Sequence, residues 1–450
     1  MKKKKGLWIF SILMALAFCG QAFAATFYVD DDAVGPGTGT RTNPFPTIQA
    51  GIDRAGYGDK VRVASGTYYE RIVLKNGVKL IGGSGPPTID GGDSGSVVTA
   101  VDVDFRTLLD GFTITNGAAT FGGGMYVENS SVRVKYCRFI SNLGESGGGG
   151  MYNANSSPRV EHCLFQWNKS SLGSVGAGMY NGPGSSPVVE SCTFLSNQAA
   201  THGEWGGYEF GIGGGMFNDG DSSATVTDCE FISNFAAQGG AMYNNGATPT
   251  LTDCVFKDNL AQWEGGAIFN DRISDATIKN CTFQGNTGVY GGGIYNDDFS
   301  SFELVNCTFY GNRAMHSAGS EGGGVYNSAN PSIVLNCIFW NNTPSQIAND
   351  AGATTNVFFS DVQGGYPGWG NIDADPRFRD PGSENFHLQA DSPCIDAGLS
   401  SDFYILPTDF EGDPRVVDGD DDGDECVDLG ADEYYPDRPL RFYGTFYRWE

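Results

Sequence analysis

The chain has 450 residues, 53 of them acidic against 27 basic, and a formal net charge of −26. Such an acidic surface repels nucleic acid and anionic lipid, so neither is a partner. Sixty-six glycines could signal disorder, but 13% aromatic and 40% hydrophobic content excludes it.

Residues 1–24 read as a signal peptide. Lys2 to Lys5 form a basic n-region, Leu7 to Gly20 an apolar run, and Ala22-Phe23-Ala24 an A-x-A site cleaved after Ala24. The apolar run is too short to span a bilayer. Cys19 would serve a lipoprotein, but Phe18 stands where a small residue is needed. Cleavage moves the net charge from −26 to −30 by removing four lysines. No later stretch is apolar enough to cross a membrane, so export is expected.

Residues 25–92 read as an N-terminal cap and first coils. Thr47 to Ala55 is an amphipathic helix candidate, with Thr47 as its cap and Ile48 and Ile52 on one face. A helix there covers the open end of a stack of strands.

Residues 93–365 repeat. A glycine element (GGGMYV at 122–127, GGGMYN at 148–153, GAGMYN at 176–181 and five later copies) alternates with C-x-F-x-x-N. The cysteines are Cys137, Cys163, Cys192, Cys229, Cys254, Cys281, Cys307 and Cys337. The asparagines are Asn142, Asn168, Asn197, Asn234, Asn259, Asn286, Asn312 and Asn342. Each period holds short apolar stretches and no helical stripe. In SPVVESCTFLSN, Val189 and Cys192 share a face only if the chain bends between them. The residue before the cysteine is Asp228, Asp253, Asn280, Asn306 or Asn336 in the later copies, types that accept left-handed backbone. Strand, bend, strand, turn and strand per roughly 26 residues is one coil of a parallel β-helix. Coils stack at ~4.8 Å, so Phe falls on Phe, Cys on Cys, and Asn exchanges amide hydrogen bonds with Asn. The column cysteines are then buried apolar groups, since no C-x-x-C or histidine pattern marks a zinc site. The glycines allow a tight turn and close stacking. No helix follows them to form a phosphate loop.

Residues 366–435 read as a closing module and 436–450 as a tail. Cys394 and Cys426 lie outside the column and are either paired or free.

The paired GG-[AG]-[MIV] and F-x-x-N elements resemble the repeats of the polymorphic outer membrane protein family, which are adhesins and autotransporter passengers. TIQAGIDRAGYGDKVRVASGTYYE is similar to the front cap of pectin-lyase-like right-handed β-helix proteins. DADPRFRD, FHLQADSPCIDAG, DFEGDPRVVDGD and VDLGADEYY resemble the closing module of secreted bacterial β-helix repeat proteins. Only about 110 residues follow Cys337, too few for the translocation barrel of the first family plus a closing module. The resemblance to pectin-active enzymes would imply N-x-D, D-D, G-H-G and R-x-K elements, of which no complete set is present. THGEW at 201–205 is the nearest fragment and lacks the glycine before His202.

Two places could carry chemistry. The interval between Cys192 and Cys229 holds about ten extra residues, with His202, Glu204, Trp205, Tyr208 and Glu209. Trp263, Glu264, His316 and Glu321 fall in the same phase of later coils. Such loops project from one side and offer aromatic platforms for sugar, with His202, Glu204 and Glu209 as candidate acid–base groups. The second place is DGDDDGDECVD, where Asp418, Asp420, Asp422 and Asp424 begin like a calcium loop, although Leu429 stands where its closing glutamate belongs.

The reading is an all-β, single-domain right-handed parallel β-helix with a helical cap and a closing module. It is expected to be a secreted or cell-surface binding protein for carbohydrate, adhesin-like. The alternatives are a polysaccharide lyase or glycoside hydrolase, and a structural spacer. It needs no cofactor beyond a structural Ca²⁺, and its expected partner is a polysaccharide or cell-surface glycan.

Overall fold

The residue before each column cysteine bends the chain as its type allows. Tyr136, His162, Ser191, Asp228, Asp253, Asn280, Asn306 and Asn336 all take left-handed backbone, with φ between 50° and 53°. The computed structural model describes residues 24–435 except 172, 200–210, 298, 317–321, 329, 402–403 and 421. Its strands form four parallel sheets stacked along a β-helix, one of them only over the middle coils, and two short antiparallel pairs in the closing module. S1 has 13 strands, from Thr26–Val29 to Thr355–Phe358. S2 has 12, from Thr67–Tyr68 to Asp361–Val362, and carries the C-x-F element. S4 has 11, from Ile72–Val73 to Ile347–Asn349, and carries the glycine element's Met-Tyr-Asn. A coil is therefore four strands rather than the three expected. The added sheet, S3, has eight strands, several of only two residues, such as Gln198–Ala199. Strands that short carry no readable hydrophobic period.

The columns form as read. The Phe139 to Phe339 rings stack at 4.4 to 5.0 Å, with planes within 7° of parallel. Each column asparagine from Asn142 to Asn312 donates Nδ2 to the next one's Oδ1 at 2.8 to 3.0 Å. The same Oδ1 accepts the preceding asparagine's backbone N–H, and Asn234 Nδ2 also reaches Phe194 O at 2.8 Å. These buried amides are thus satisfied without any charge. Asn342 passes the run to Gln346 Oε1 at 2.7 Å. All eight column cysteines are buried thiols. In several steps a backbone N–H donates to the next coil's sulfur, as from Cys163 to Cys192 at 3.4 Å.

A second asparagine column went unread. Asn153, Asn181, Asn218, Asn244 and Asn270, at the end of the Met-Tyr-Asn element, are linked Nδ2 to Oδ1 at 2.7 to 2.8 Å. It breaks once, between Asn270 Nδ2 and Asn296 Oδ1, both buried and unpaired.

The glycines belong to the frame. Gly148 sits at φ 63°, and a Cβ on Gly149 would lie 2.2 Å from Lys169 O in the next coil. The front helix spans Ile48–Arg54, with the Thr47 side chain accepting from Ala50 N and Ile48 and Ile52 buried. Glu70 adds its carboxylate to the Ile48 and Gln49 amides at 2.7 and 3.0 Å.

The closing module covers more than the end of the solenoid. Only its first residues cover the last coil, where Tyr366 packs on the core and Asn371 Nδ2 donates to Val357 O. The rest folds back along the S1–S2 bend. Asn280 Nδ2 donates to Thr408 O (2.8 Å), Asn306 Nδ2 to Asp428 O (3.1 Å) and Asn336 Nδ2 to Leu399 O (3.2 Å). The bend asparagines therefore dock the module as well as turning the chain. Cys394 and Cys426 are both free thiols, Cys394 facing Asp361 Oδ2 at 3.4 Å.

Candidate functional site

His202, Glu204, Trp205, Tyr208 and Glu209 lie outside the described residues, as does Glu321. The rest of the expected sugar platform is in view. Glu264, Tyr290 and His316 meet in the turn between S3 and S4. Glu264 pairs with Tyr290 in a parallel bridge and accepts from Gln238 Nε2 at 2.8 Å. Burial raises its carboxyl pKa, and the Gln238 bond only partly offsets this. Tyr290 stacks on His316 at 4.9 Å. Trp263, at 43% exposure, stands beside them. Tyr290 was missed, although it precedes its glycine element in the phase of Glu264.

These residues border a longer feature. In eight consecutive S4 strands the residue between the two inward-facing ones is aromatic, with Thr99 and Ala348 taking its place in the coils on either side. Tyr126, Tyr152, Tyr180, Phe217, Tyr243, Phe269, Tyr295 and Tyr326 pair in register. Their ring centroids are 4.8 to 5.6 Å apart. Seven steps at ~4.8 Å give a track about 34 Å long. Phe217, Tyr243 and Phe269 are buried at its centre, and the tyrosines at both ends are half-exposed. Carboxylates rim it. Tyr180 donates to Asp219 (2.8 Å), Tyr243 to Asp271 (2.6 Å) and Tyr326 to Asp350 (2.6 Å). Burial and these carboxylates raise the pKa of all three phenols, so they stay neutral donors.

A separate cavity of about 450 Å³ opens between the outer face of S2 and the closing module. Glu230, Lys257 and Gln284 line one wall; His387, Glu411 and Asp432 line the other. Lys257 pairs with Glu384 across it. Burial raises the Glu230 pKa, and burial pushes Asp432 up to about 8. Sequence reasoning missed this site, because its walls come from segments far apart in the chain.

The acidic loop is built differently from the expectation. Asp418 and Asp420 gather with Asp396, not with Asp422 and Asp424. The Asp418 carboxylate accepts the Asp422 and Gly423 amides at 3.1 and 3.0 Å, and Asp422 Oδ1 accepts Asp424 N at 2.9 Å. The Asp418, Asp420 and Asp422 carboxylates thus all accept amides of the loop's own turns, and Asp424 joins them through its backbone N–H. Asp396 Oδ1 is buried with no hydrogen-bond partner.

The stacked parallel sheets define a right-handed parallel β-helix protein, the architecture expected of a pectin-lyase-like chain. A family model described as right handed beta helix region matches residues 209–362. Similar solved structures include pectate lyase Pel9A, at 14% identity and TM-score 0.48, covering 92% of this chain and 98% of that one. A rhamnogalacturonan lyase matches at 12% identity and TM-score 0.36, over 79% and 91% of the two chains. The GH136 lacto-N-biosidase from Eubacterium ramulus matches at 10% and 0.30, over 74% and 68%. No curated protein matches the chain. No helix among the described residues is long and apolar enough to cross a membrane.

Proposed function

We propose that the chain is exported through its leader and binds an extended polysaccharide or cell-surface glycan along the S4 aromatic track, as an adhesin-like protein. The observation that carries this reading is the in-register aromatic column from Tyr126 to Tyr326, half-exposed at both ends and buried at Phe217, Tyr243 and Phe269, with neutral phenols hydrogen-bonded to carboxylates at its rim. Sugar rings stack on such faces, while hydroxyls meet Asp219, Asp271 and Asp350. Trp263, Glu264, Tyr290 and His316 extend the platform sideways. The net charge favours neutral glycans over acidic ones. A structural Ca²⁺ at Asp396, Asp418 and Asp420 belongs to the same proposal.

Affinity electrophoresis in gels containing neutral polysaccharides tests it. Retardation by at least one glycan is expected. Tyr152→Ala with Tyr180→Ala should weaken it roughly tenfold, from about 0.5–1.5 kcal/mol per lost stacking contact. Retardation unchanged in that double variant removes the track from the reading.

A second reading, polysaccharide cleavage, is favoured by the Glu230 carboxyl of raised pKa facing the S2 cavity. Reducing-sugar and unsaturated-product assays on Glu230→Gln against the unaltered chain decide it.

A further inference from the structure

His387, Glu411 and Asp432 form a three-sided cluster on the closing-module wall of the S2 cavity. One ligand atom from each lies within 4.8 Å of the others. His387 Nε2 is 3.1 Å from Glu411 Oε1 and 3.9 Å from Asp432 Oδ2. The side chains are 18%, 7% and 15% exposed.

The histidine's orientation is fixed from behind. Asn385 Oδ1 accepts the His387 backbone N–H at 3.2 Å, which identifies that amide atom as the oxygen. The same oxygen lies 2.6 Å from His387 Nδ1, so Nδ1 carries the proton. In the neutral ring, Nε2 then presents a lone pair toward two carboxylates. A metal-binding histidine is set up in this way, with its far nitrogen donating to an oxygen behind it. A second observation concerns Asp432. Its Oδ2 is buried without a hydrogen-bond partner, 3.9 Å from His387 Nε2. A bound cation would offset the cost of burying that oxygen unpaired.

We propose that His387, Glu411 and Asp432 bind a divalent transition metal of the zinc class, with its open position facing the S2 cavity. Imidazole nitrogen with two carboxylates suits that class and disfavours Ca²⁺ and Mg²⁺, which take oxygen ligands. In a tetrahedral zinc site with bonds of about 2.1 Å, ligand atoms lie roughly 3.4 Å apart. The observed separations of 3.1 and 3.9 Å bracket that distance. The rival arrangement is an imidazolium that neutralises the carboxylates itself, with no metal. The proposal is independent of glycan binding on S4.

Metal-stripped full-length protein is titrated with Zn²⁺ by calorimetry near neutral pH, and with Co²⁺ by absorption. One equivalent should bind, and the Co²⁺ spectrum should show a low-coordinate nitrogen and oxygen site without a thiolate charge-transfer band. His387→Gln should abolish binding while the circular dichroism stays that of the unaltered chain. Asn385→Ala should weaken it by roughly 10- to 100-fold, the usual cost of losing an outer-shell partner. Asp418→Asn, in the separate acidic loop, should bind as the unaltered chain does. No Zn²⁺ binding by the unaltered protein, equal binding by His387→Gln, or a thiolate band would each overturn the proposal.

Discussion

The coils and the closing module solve the same problem, burying polar groups, with opposite chemistry. In the coils the buried Phe, Cys and Asn columns are neutral, and most of their side chains meet their own kind above and below. In the module the contacts are single and charged. Arg415, fully buried, donates to Glu433 Oε2 (3.2 Å), Asn280 Oδ1 (2.9 Å) and Ala431 O (2.6 Å). Asp428 is buried and accepts the Asp396 and Tyr434 amides at 2.7 and 2.6 Å. Repetition spreads stability along the axis in nearest-neighbour terms. The module instead hangs on a few irreplaceable groups. Damage to a coil should therefore divide the solenoid, and damage to the module should leave the solenoid whole.

The largest effect belongs to the solenoid. Phe231 stacks between Phe194 and Phe256 at 4.7 and 5.0 Å. Phe231→Ala should cost about 3–5 kcal/mol, the range for a buried Phe truncation. Coils on the two sides of the gap should then unfold separately. Urea unfolding followed by hydrogen exchange reads this as two transitions in place of one. A single undivided transition would mean that coupling reaches farther than neighbouring coils.

Arg415→Met follows. It leaves Glu433 buried without its cation, a loss of about 3–5 kcal/mol for a broken buried pair. Amide exchange in 394–435 should rise, with protection of the Phe and Asn columns unchanged. Loss of protection in both regions would make the module part of the solenoid's folding unit.

Acidity separates the regions next. Burial pushes Asp428 up to about 7, above an unfolded value near 3.8. A raised acid makes the folded module bind more protons than the unfolded chain. That stabilisation is complete below about pH 4 and is lost as pH climbs through 7. Protection of the module should thus fall between about pH 4 and pH 7, while the uncharged columns keep theirs. Exchange measured at matched intrinsic rates checks it, and Asp428→Asn should flatten the module's profile.

The same contrast explains what could be read from the chain. Phe139 to Phe339 and Asn142 to Asn342 announce themselves because each recurs at a fixed offset from a cysteine. The Asn153 column carries that signal too, but its asparagine reads as the end of a glycine turn. Most S3 strands are only two residues long and leave no pattern. The module's docking is invisible in principle, since Arg415 meets Asn280 across 135 residues and Asn306 meets Asp428 across 122. Asn280, Asn306 and Asn336 were legible as bends; nothing nearby signals that their amides also hold another segment. The His387 cluster was hidden for the same reason, and the aromatic track lay in the quoted Met-Tyr-Asn element without being seen to face outward.

The smallest expected effect is that of calcium, and it again falls on the module alone. Asp396, Asp418 and Asp420 converge, and burial raises the Asp396 carboxyl pKa, partly offset by the Asp420 and Gly419 amides. Backbone amides of Gly419 and Asp420 already occupy Asp396 Oδ2 at 2.9 and 3.0 Å, which leaves Oδ1 toward a cation. A site with three carboxylates and no closing glutamate should bind weakly, at the 10⁻⁴–10⁻³ M typical of extracellular modules. At about 5 mM Ca²⁺ that binding stabilises the module by roughly 1–2 kcal/mol. Ca²⁺ should slow amide exchange in 394–435 several-fold, and Asp418→Asn should remove the effect. Because burial raises the Asp396 carboxyl pKa, protons compete with the cation there, and the slowing should weaken as pH falls. An equal response in the coils would show that Ca²⁺ acts on the general acidic surface instead of on this loop.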